Sequence, residues 1–491
     1  MMEMARKGKR EKPRGLKGYL TVYTALTLTV MISLCLTLVE GVRRNTVAFE
    51  AECIMDIGMN SVLAEYHREL LKRYGLLMVD TSYGTNYPSY YNTEQHLSAY
   101  LARNLDYSDS TELSFLYRDL LGMELEDVQV QKVSLATDDG GKVFQHRAAE
   151  CMQSRLGLEG VSQLLTWMET VEEYQLLERN IGEEMDQVSE DLQQYGEMNP
   201  KIAQEDWILI DPTDPLDSLG KMRREGILKW VVEDVSLLST VVINQDAYVS
   251  ARAARGEINH GNYPEREPLE LIDNILLLEY FMSYAGYYGN ARDDSLLQYQ
   301  IEYLLCGNAA DRDNLKRVAD MLCCIRGASN LAYLMSCAEK KAEAEAVASI
   351  ASELIALPEL EPVFETALLL TWAYLESLYD VRLLFSGGRV PLMKTDADWH
   401  YSLTNIWKPQ INTGEVGGTG LSYGDYLRIF LYVQSPDTLS MRFMDLMEMD
   451  IRRTPGNSCF RMDGCIDGLE AEACIHSGYG YSFSVTRQKN Y

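Results

Sequence analysis

Between Leu20 and Val39 the chain carries twenty residues without a charge, LTVYTALTLTVMISLCLTLV. At helical rise such a run covers roughly 30 Å, the hydrocarbon thickness of a bilayer. Leu20, Val22, Leu26, Leu28, Val30, Ile32, Leu34, Leu36 and Leu38 supply the apolar surface of an anchor. The interspersed Thr and Ser hydroxyls can bond to a carbonyl one turn back, which makes them tolerable in lipid. No proline lies between Pro13 and Pro88, so nothing stops the helix at the membrane surface. The pattern predicts one long helix from Gly18 to Tyr74, with Gly75 as its C-cap. Beyond Glu40, Val42, Phe49, Cys53, Ile57, Ala64 and Leu71 recur at spacings of four and seven, the mark of an amphipathic stripe.

Charge sets the expected topology. The leader before the run holds Arg6, Lys7, Lys9, Arg10, Lys12, Arg14 and Lys17 against Glu3 and Glu11; the chain's net charge of −28, less the leader's +5, leaves −33 on the rest. By the positive-inside rule residues 1–18 stay cytoplasmic and the acidic body lies outside the cell membrane, although Arg43 and Arg44 oppose that orientation. So acidic a body excludes nucleic acid as a partner, since that affinity comes from neutralising phosphates. Leu38-Val39-Glu40-Gly41 offers no small-residue cleavage site of the secretory type, and Leu34 is too bulky before Cys35 for lipoprotein processing. A retained single-pass anchor follows. Of ten cysteines, most sit in apolar helical contexts suited to buried thiols. Cys459, Cys465 and Cys474 cluster in a loop-rich tail where two of the three could form one disulfide.

Further along, residues 76–80 read as a strand leaving the helix, and 124–136 as a strand with a one-residue slip between Val128-Val130 and Val133-Leu135. Asp138-Asp139-Gly140-Gly141 reads as a turn. Helical spacing then dominates to Leu384, broken by the loop Asp211 to Asp217, and returns at 423–433 and 438–451. Residues 479–486 alternate aromatic with small residues and read as a strand pairing with 76–80 and 125–135. The expected organisation is a leader (1–18), an anchor continuing as a long helix (19–74), a strand-containing region (75–141), a helical domain (142–385) and a loop-rich α/β region (386–491). The fold class is α+β and mostly helical: a long N-terminal helix packed by a small antiparallel sheet, with a large inserted helical domain.

No catalytic, cofactor-binding or metal-binding residue is assigned. Gly420-Leu421-Ser422-Tyr423-Gly424 matches a nucleophile elbow, but a glycine-rich approach cannot be the buried strand that chemistry needs. Ser422 with Asp425 instead makes a capping box. Asp211, Asp214 and Asp217 read as a solvated turn, and Asp396-Ala-Asp398-Trp399-His400 as a loop anchored by Trp399, with Trp407 as a second anchor. The six histidines are scattered, without a zinc spacing.

The stretch Lys17-Gly18-Tyr19-Leu20-Thr21-Val22-Tyr23-Thr24-Ala25-Leu26 resembles the leader junction of TadE/TadG-type pseudopilins of the Tad (Flp) pilus system. Ala64 to Leu71, Tyr299 to Leu304, Trp372 to Ser377, Asp380 to Leu384 and Gly387 to Leu392 resemble large anchored proteins of Gram-positive anaerobes found beside Tad components. The resemblance implies a pilin-like N-terminal helix packing with other pilin-like or Tad assembly subunits, and cleavage between Gly18 and Tyr19 by a prepilin peptidase. Tyr23 stands where TadE-like members carry Glu; TadG-like members lack that Glu, so the likeness leans to them. The expected function is a non-enzymatic, single-pass extracytoplasmic component of a Tad/Flp-type pilus or secretion assembly. An anchored extracytoplasmic hydrolase or a ligand-binding ectodomain is the alternative.

Overall fold

The computed structural model describes residues 16–105, 122–153, 158–198, 222–252, 266–354, 358–403 and 418–491. In chain order the elements are α1 (Leu16–Leu63), α2 (Arg68–Tyr74), β1 (Val79–Asp80), α3 (Tyr90–Leu105), β2 (Met123–Leu135), α4 (Asp138–Gln153), α5 (Leu158–Glu173) and α6 (Ile181–Met198). There follow α7 (Leu228–Val231), α8 (Leu271–Tyr284), α9 (Gln300–Cys306), α10 (Asp311–Ser336), α11 (Ala338–Leu354), α12 (Glu361–Phe385), α13 (Tyr423–Tyr432), α14 (Pro436–Arg452), β3 (Cys465–Ser477) and β4 (Ser482–Asn490). Helix predominates, with one small antiparallel sheet, as the composition and periodicity predict. The residues form two compact units: one takes the chain up to Glu65, Ser89–Val133 and Gly468–Tyr491, the other Tyr66–Pro88 and Ser134–Asp467.

The sheet is built on β3, a strand that the sequence reading missed. β2 flanks β3 on one side; β1 and β4 share the other. Val79 pairs with Ile466, and β4 runs antiparallel to β3 from Ser482 opposite His476 to Asn490 opposite Gly468. The final strand therefore pairs with β3, not with the strands near 76–80 and 125–135. The expected strand at 76–80 shrinks to two residues. The slip in β2 is real in its effect: Val128, Val130, Val133 and Leu135 are all buried.

The single helix expected over 18–74 is two. α1 ends at Leu63 and α2 begins after His67, whose ring accepts from the Leu70 N–H at 3.2 Å. The His67 N–H donates to the Met78 carbonyl at 2.8 Å, and its ring packs 4.5 Å from that of Phe460. A tertiary tether, with no local breaker in the sequence, ends the helix. Gly75 caps α2 in the left-handed region, as predicted.

The predicted stripe on α1 also needs correction. Val42 and Phe49 are each 67% exposed and Ile57 is 48% exposed. The buried face is Val47, Ala51, Ile54, Met55, Met59 and Val62. These recur at the same helical spacing but lie across the helix from the stripe, so both faces satisfy the period and only packing distinguishes them.

In the larger unit α10 and α12 lie along each other and α11 covers α12. The helix expected over 315–352 breaks at Cys337, and the one expected over 227–238 is the single turn α7 followed by a 3-10 turn. An aromatic cluster binds α2, α4, α8 and α14, with Phe281 and Phe443 ring centres 4.9 Å apart and Phe144 5.9 Å from Phe443. Burying each such ring contributes roughly 1.5–3 kcal/mol. The helices α13 and α14, assigned from sequence to a loop-rich C-terminal region, belong to this unit. Asp139, Gly140 and Gly141 take positive φ, confirming the turn that leads into α4.

Candidate functional site

The feature with the clearest chemical purpose is α1. Leu20, Val22, Leu26, Leu28, Val30, Ile32, Leu34, Leu36 and Leu38 are all at least half exposed. Thr27, Thr29 and Thr37 donate to the carbonyls of Tyr23, Ala25 and Ser33, one turn back, so their hydroxyls present no unsatisfied donor to an apolar surround. This is a helix long and apolar enough to cross a membrane. Gly18 and Tyr19 fall within it, one turn from its start; Tyr19 is 79% exposed. Of the basic leader, Arg6, Lys7, Lys9, Arg10, Lys12 and Arg14 lie outside the described residues, and Lys17 falls in the first turn of α1.

Beyond Val39 α1 continues for 24 residues to Leu63, roughly 36 Å at helical rise, and there it is clothed. Its flank meets α3, where Gly58 lets Leu97 and Leu101 close in; a Cβ at Gly58 would lie 2.6 Å from Leu101 Cδ2. Past the end of α1, Glu65 accepts from Tyr100 at 2.7 Å and pairs with His96 at 2.9 Å. On the other flank β4 lays Arg487 against Glu52 at 2.9 Å and Lys489 against Asp56 at 3.3 Å. Nearest the apolar run, the β3–β4 turn reaches α1: the Arg43 guanidinium sits 4.0 Å over the Tyr479 ring, and the Tyr481 hydroxyl donates to Glu40.

The other sequence candidates resolve into structural roles. Ser422 caps α13, accepting from the Asp425 N–H while Asp425 accepts from the Ser422 N–H and hydroxyl. Asp398 makes a capping box with Thr395, and Asp396 accepts from Tyr333. Trp399 anchors its loop by donating to the Tyr401 carbonyl at 2.7 Å. Cys459, Cys465 and Cys474 are free thiols. Cys465 and Cys474 stand nine residues apart on one strand, roughly 30 Å, far beyond disulfide reach. Asp211, Asp214, Asp217 and Trp407 lie outside the described residues. Among the described residues no group of three or more His, Cys, Asp or Glu is placed to hold a metal ion.

Sequence reading missed the buried charges of the larger unit. Lys394, Glu376, Asp380 and Arg326 are buried together: Lys394 reaches both Glu376 and Asp380, the latter at 2.6 Å, and Arg326 meets Asp380 at 3.0 Å. Glu376 also accepts from the His400 and Tyr401 N–H groups at 3.0 and 2.8 Å, and Arg326 donates to the Pro391 and Leu392 carbonyls. α14 carries three more buried acids. Asp445 takes the Ser250 N–H and Tyr303 hydroxyl, Glu448 the Met462 N–H and Arg252, and Asp450 the Tyr74 hydroxyl and Leu296 N–H. Each acid ties a loop or neighbouring helix to α14. Burial pushes the Asp445 carboxyl up to about 6 and the Cys306 and Cys323 thiols up to about 12, so these thiols stay protonated near neutral pH. The only signal in the sequence is acids spaced on the apolar face of a helical segment, as in Met444 to Ile451, where a solvated face would be the ordinary reading.

A family described as a family of unknown function (DUF5702) has a sequence model that matches residues 205–477. That span covers more than half of the chain; α1 lies outside it. No curated protein and no solved structure matches the chain.

Proposed function

This chain belongs to the DUF5702 family of unknown function, and we propose that it acts as a non-enzymatic, single-pass extracytoplasmic component of a Tad/Flp-type pilus or secretion assembly, in the manner of a TadE/TadG-like minor pseudopilin. The observation that carries the reading is the continuity of α1. A membrane-length run with every long aliphatic exposed passes without a break into a clothed segment that still presents Val42, Phe49 and Ile57 outward. A helix built only as an anchor has no need of a bare apolar stripe beyond the membrane; a helix that packs beside other membrane-rooted helices does. The leader charge supports an extracytoplasmic body, and the sequence likeness at Gly18 and Tyr19 supports processing by a prepilin peptidase.

Two measurements on the membrane-extracted protein test this. N-terminal sequencing is expected to begin at Tyr19; a chain that begins at Met1 removes the processed version and leaves an anchored protein. Cross-linking in cells from Phe49→Cys is expected to capture proteins with pilin-like apolar N-terminal helices. Capture of none, with the assembly expressed, overturns the assembly role.

A further inference from the structure

The end of the β3–β4 hairpin is aromatic and uncharged. Residues 477–486, SGYGYSFSVT, carry no charge in a body whose net charge is −33 once the leader's +5 is taken from −28. The turn is held firmly: the Ser477 N–H donates to the Tyr481 carbonyl at 2.7 Å, Gly480 takes φ 85°, and the Gly478 N–H donates to the Gly122 carbonyl at 2.6 Å. Two aromatic side chains project from it, Tyr479 (43% exposed) and Tyr481.

The register of the hairpin on α1 fixes where those rings stand. Tyr481 bonds Glu40 and Tyr479 stacks under Arg43, the first and fourth residues after the charge-free run. At helical rise they lie about 2–6 Å past the end of the run. With the run in the hydrocarbon, that is the depth of the headgroups, where tyrosine rings and arginine side chains are both favoured. Arg44, exposed beside Arg43, faces the same layer. The two arginines that oppose the positive-inside rule thus acquire a use.

We infer that the β3–β4 hairpin tip, with Arg43 and Arg44, is a second membrane contact: it seats Tyr479 and Tyr481 in the headgroup layer of the bilayer that α1 crosses. The inference rests on the anchor reading and adds to it. A single helix leaves its extramembrane part free to tilt and to spin about the helix axis. A hairpin seated in the interface on one side of α1 restricts both, and so sets which face of the extension a neighbouring subunit meets.

The test uses the full chain reconstituted in phosphatidylcholine vesicles containing lipids brominated either just below the headgroup or near the chain end. Tyr479→Trp is compared with unsubstituted protein so that the native tryptophan signal is subtracted. Ile57→Trp, 17 residues beyond Glu40 on α1 and so about 26 Å away, is the control. In the Tyr479→Trp protein the added emission is expected to shift to the blue and to lose intensity to the shallow bromines more than to the deep ones. In the Ile57→Trp protein the added emission is expected to stay unchanged. Protein that floats with the vesicles while the added emission of Tyr479→Trp is unquenched overturns the inference and leaves the anchor standing. Equal quenching in both variants also overturns it, because α1 would then lie along the surface. Protein that does not float with the vesicles overturns both.

Discussion

Glu302 offers a test of the larger unit that depends only on electrostatics. It lies on α9, fully buried, with Oε1 accepting from the Tyr423 hydroxyl at 2.6 Å and the Tyr288 N–H at 2.8 Å, while Oε2 has no hydrogen-bond partner among the described residues. Burial is the main cause that pushes its carboxyl from 4.5 up to about 7, and the Asp311 carboxylate adds to it. Below about pH 4.5 the folded and unfolded chains both hold the proton. Between 4.5 and 7 the unfolded chain releases it and the folded chain keeps it, so stability falls as pH rises, by about 1.4 kcal/mol per pH unit and about 3 kcal/mol in all. Glu302→Gln keeps an oxygen for both donors and cannot ionise. Its unpaired amide nitrogen carries a fixed cost, the same at every pH. The stability of the Gln variant relative to the native chain should therefore climb by about 3 kcal/mol from pH 4.5 to 7 and level off above. Urea unfolding of the detergent-solubilised protein at several pH values, followed by tryptophan fluorescence, reads this difference directly; Asp445 titrates in both proteins and cancels. A difference that stays flat across the window, or falls, would refute the assignment of Glu302 as a buried, protonated acid.

Three further outcomes are expected. Lys394→Met strands Glu376 in the core, while Asp380 keeps Arg326, and should destabilise by about 3–5 kcal/mol in the same unfolding assay, with part recovered when Glu376→Gln is added. Ser422→Ala removes one half of a capping box and should lower stability by about 1 kcal/mol; a loss beyond about 3 kcal/mol would mean that Ser422 does more than cap. Val30→Arg, at the middle of the apolar run, should weaken insertion by about 2.5–3.5 kcal/mol. It should reduce the carbonate-resistant membrane fraction, and an unchanged fraction would argue against a retained anchor.

The helices were legible where periodicity and a local signal agree: the capping box at Ser422, the αL glycine after Tyr74 and the turn at Asp138 to Gly141 all stand where the residues put them. Reading failed where tertiary contacts decide. Nothing near Ala64 breaks a helix, yet His67 is held by Met78 and Phe460 and the helix ends. β3 was invisible because CIDGLEAEACIHS mixes helix-favouring Ala and Glu with an alternation that only a flanking strand on each side makes stable. The burial of β3 residues Cys465 to Leu469 shows which influence won. The same holds for the acids of α14: Leu296, Ser250 and Tyr74, which bond Asp450, Asp445 and again Asp450, stand 154, 195 and 376 residues away in sequence.

The packing of β4 on α1 has a consequence in time. Tyr491 donates to the Leu63 carbonyl across 428 residues of chain, and Arg487 on the strand that covers the Glu52–Asp56 flank is synthesised 435 residues after Glu52. At about 5–20 residues per second, roughly 20–90 s pass between the emergence of α1 and the arrival of its cover. On the anchor reading, the apolar run can be inserted and α3 already be in place during that interval, while the flank of α1 that β4 covers is still open. The nascent helix then offers that flank as well as its outward stripe, and whichever chaperone, protease or neighbouring subunit reaches it before β4 does decides its fate.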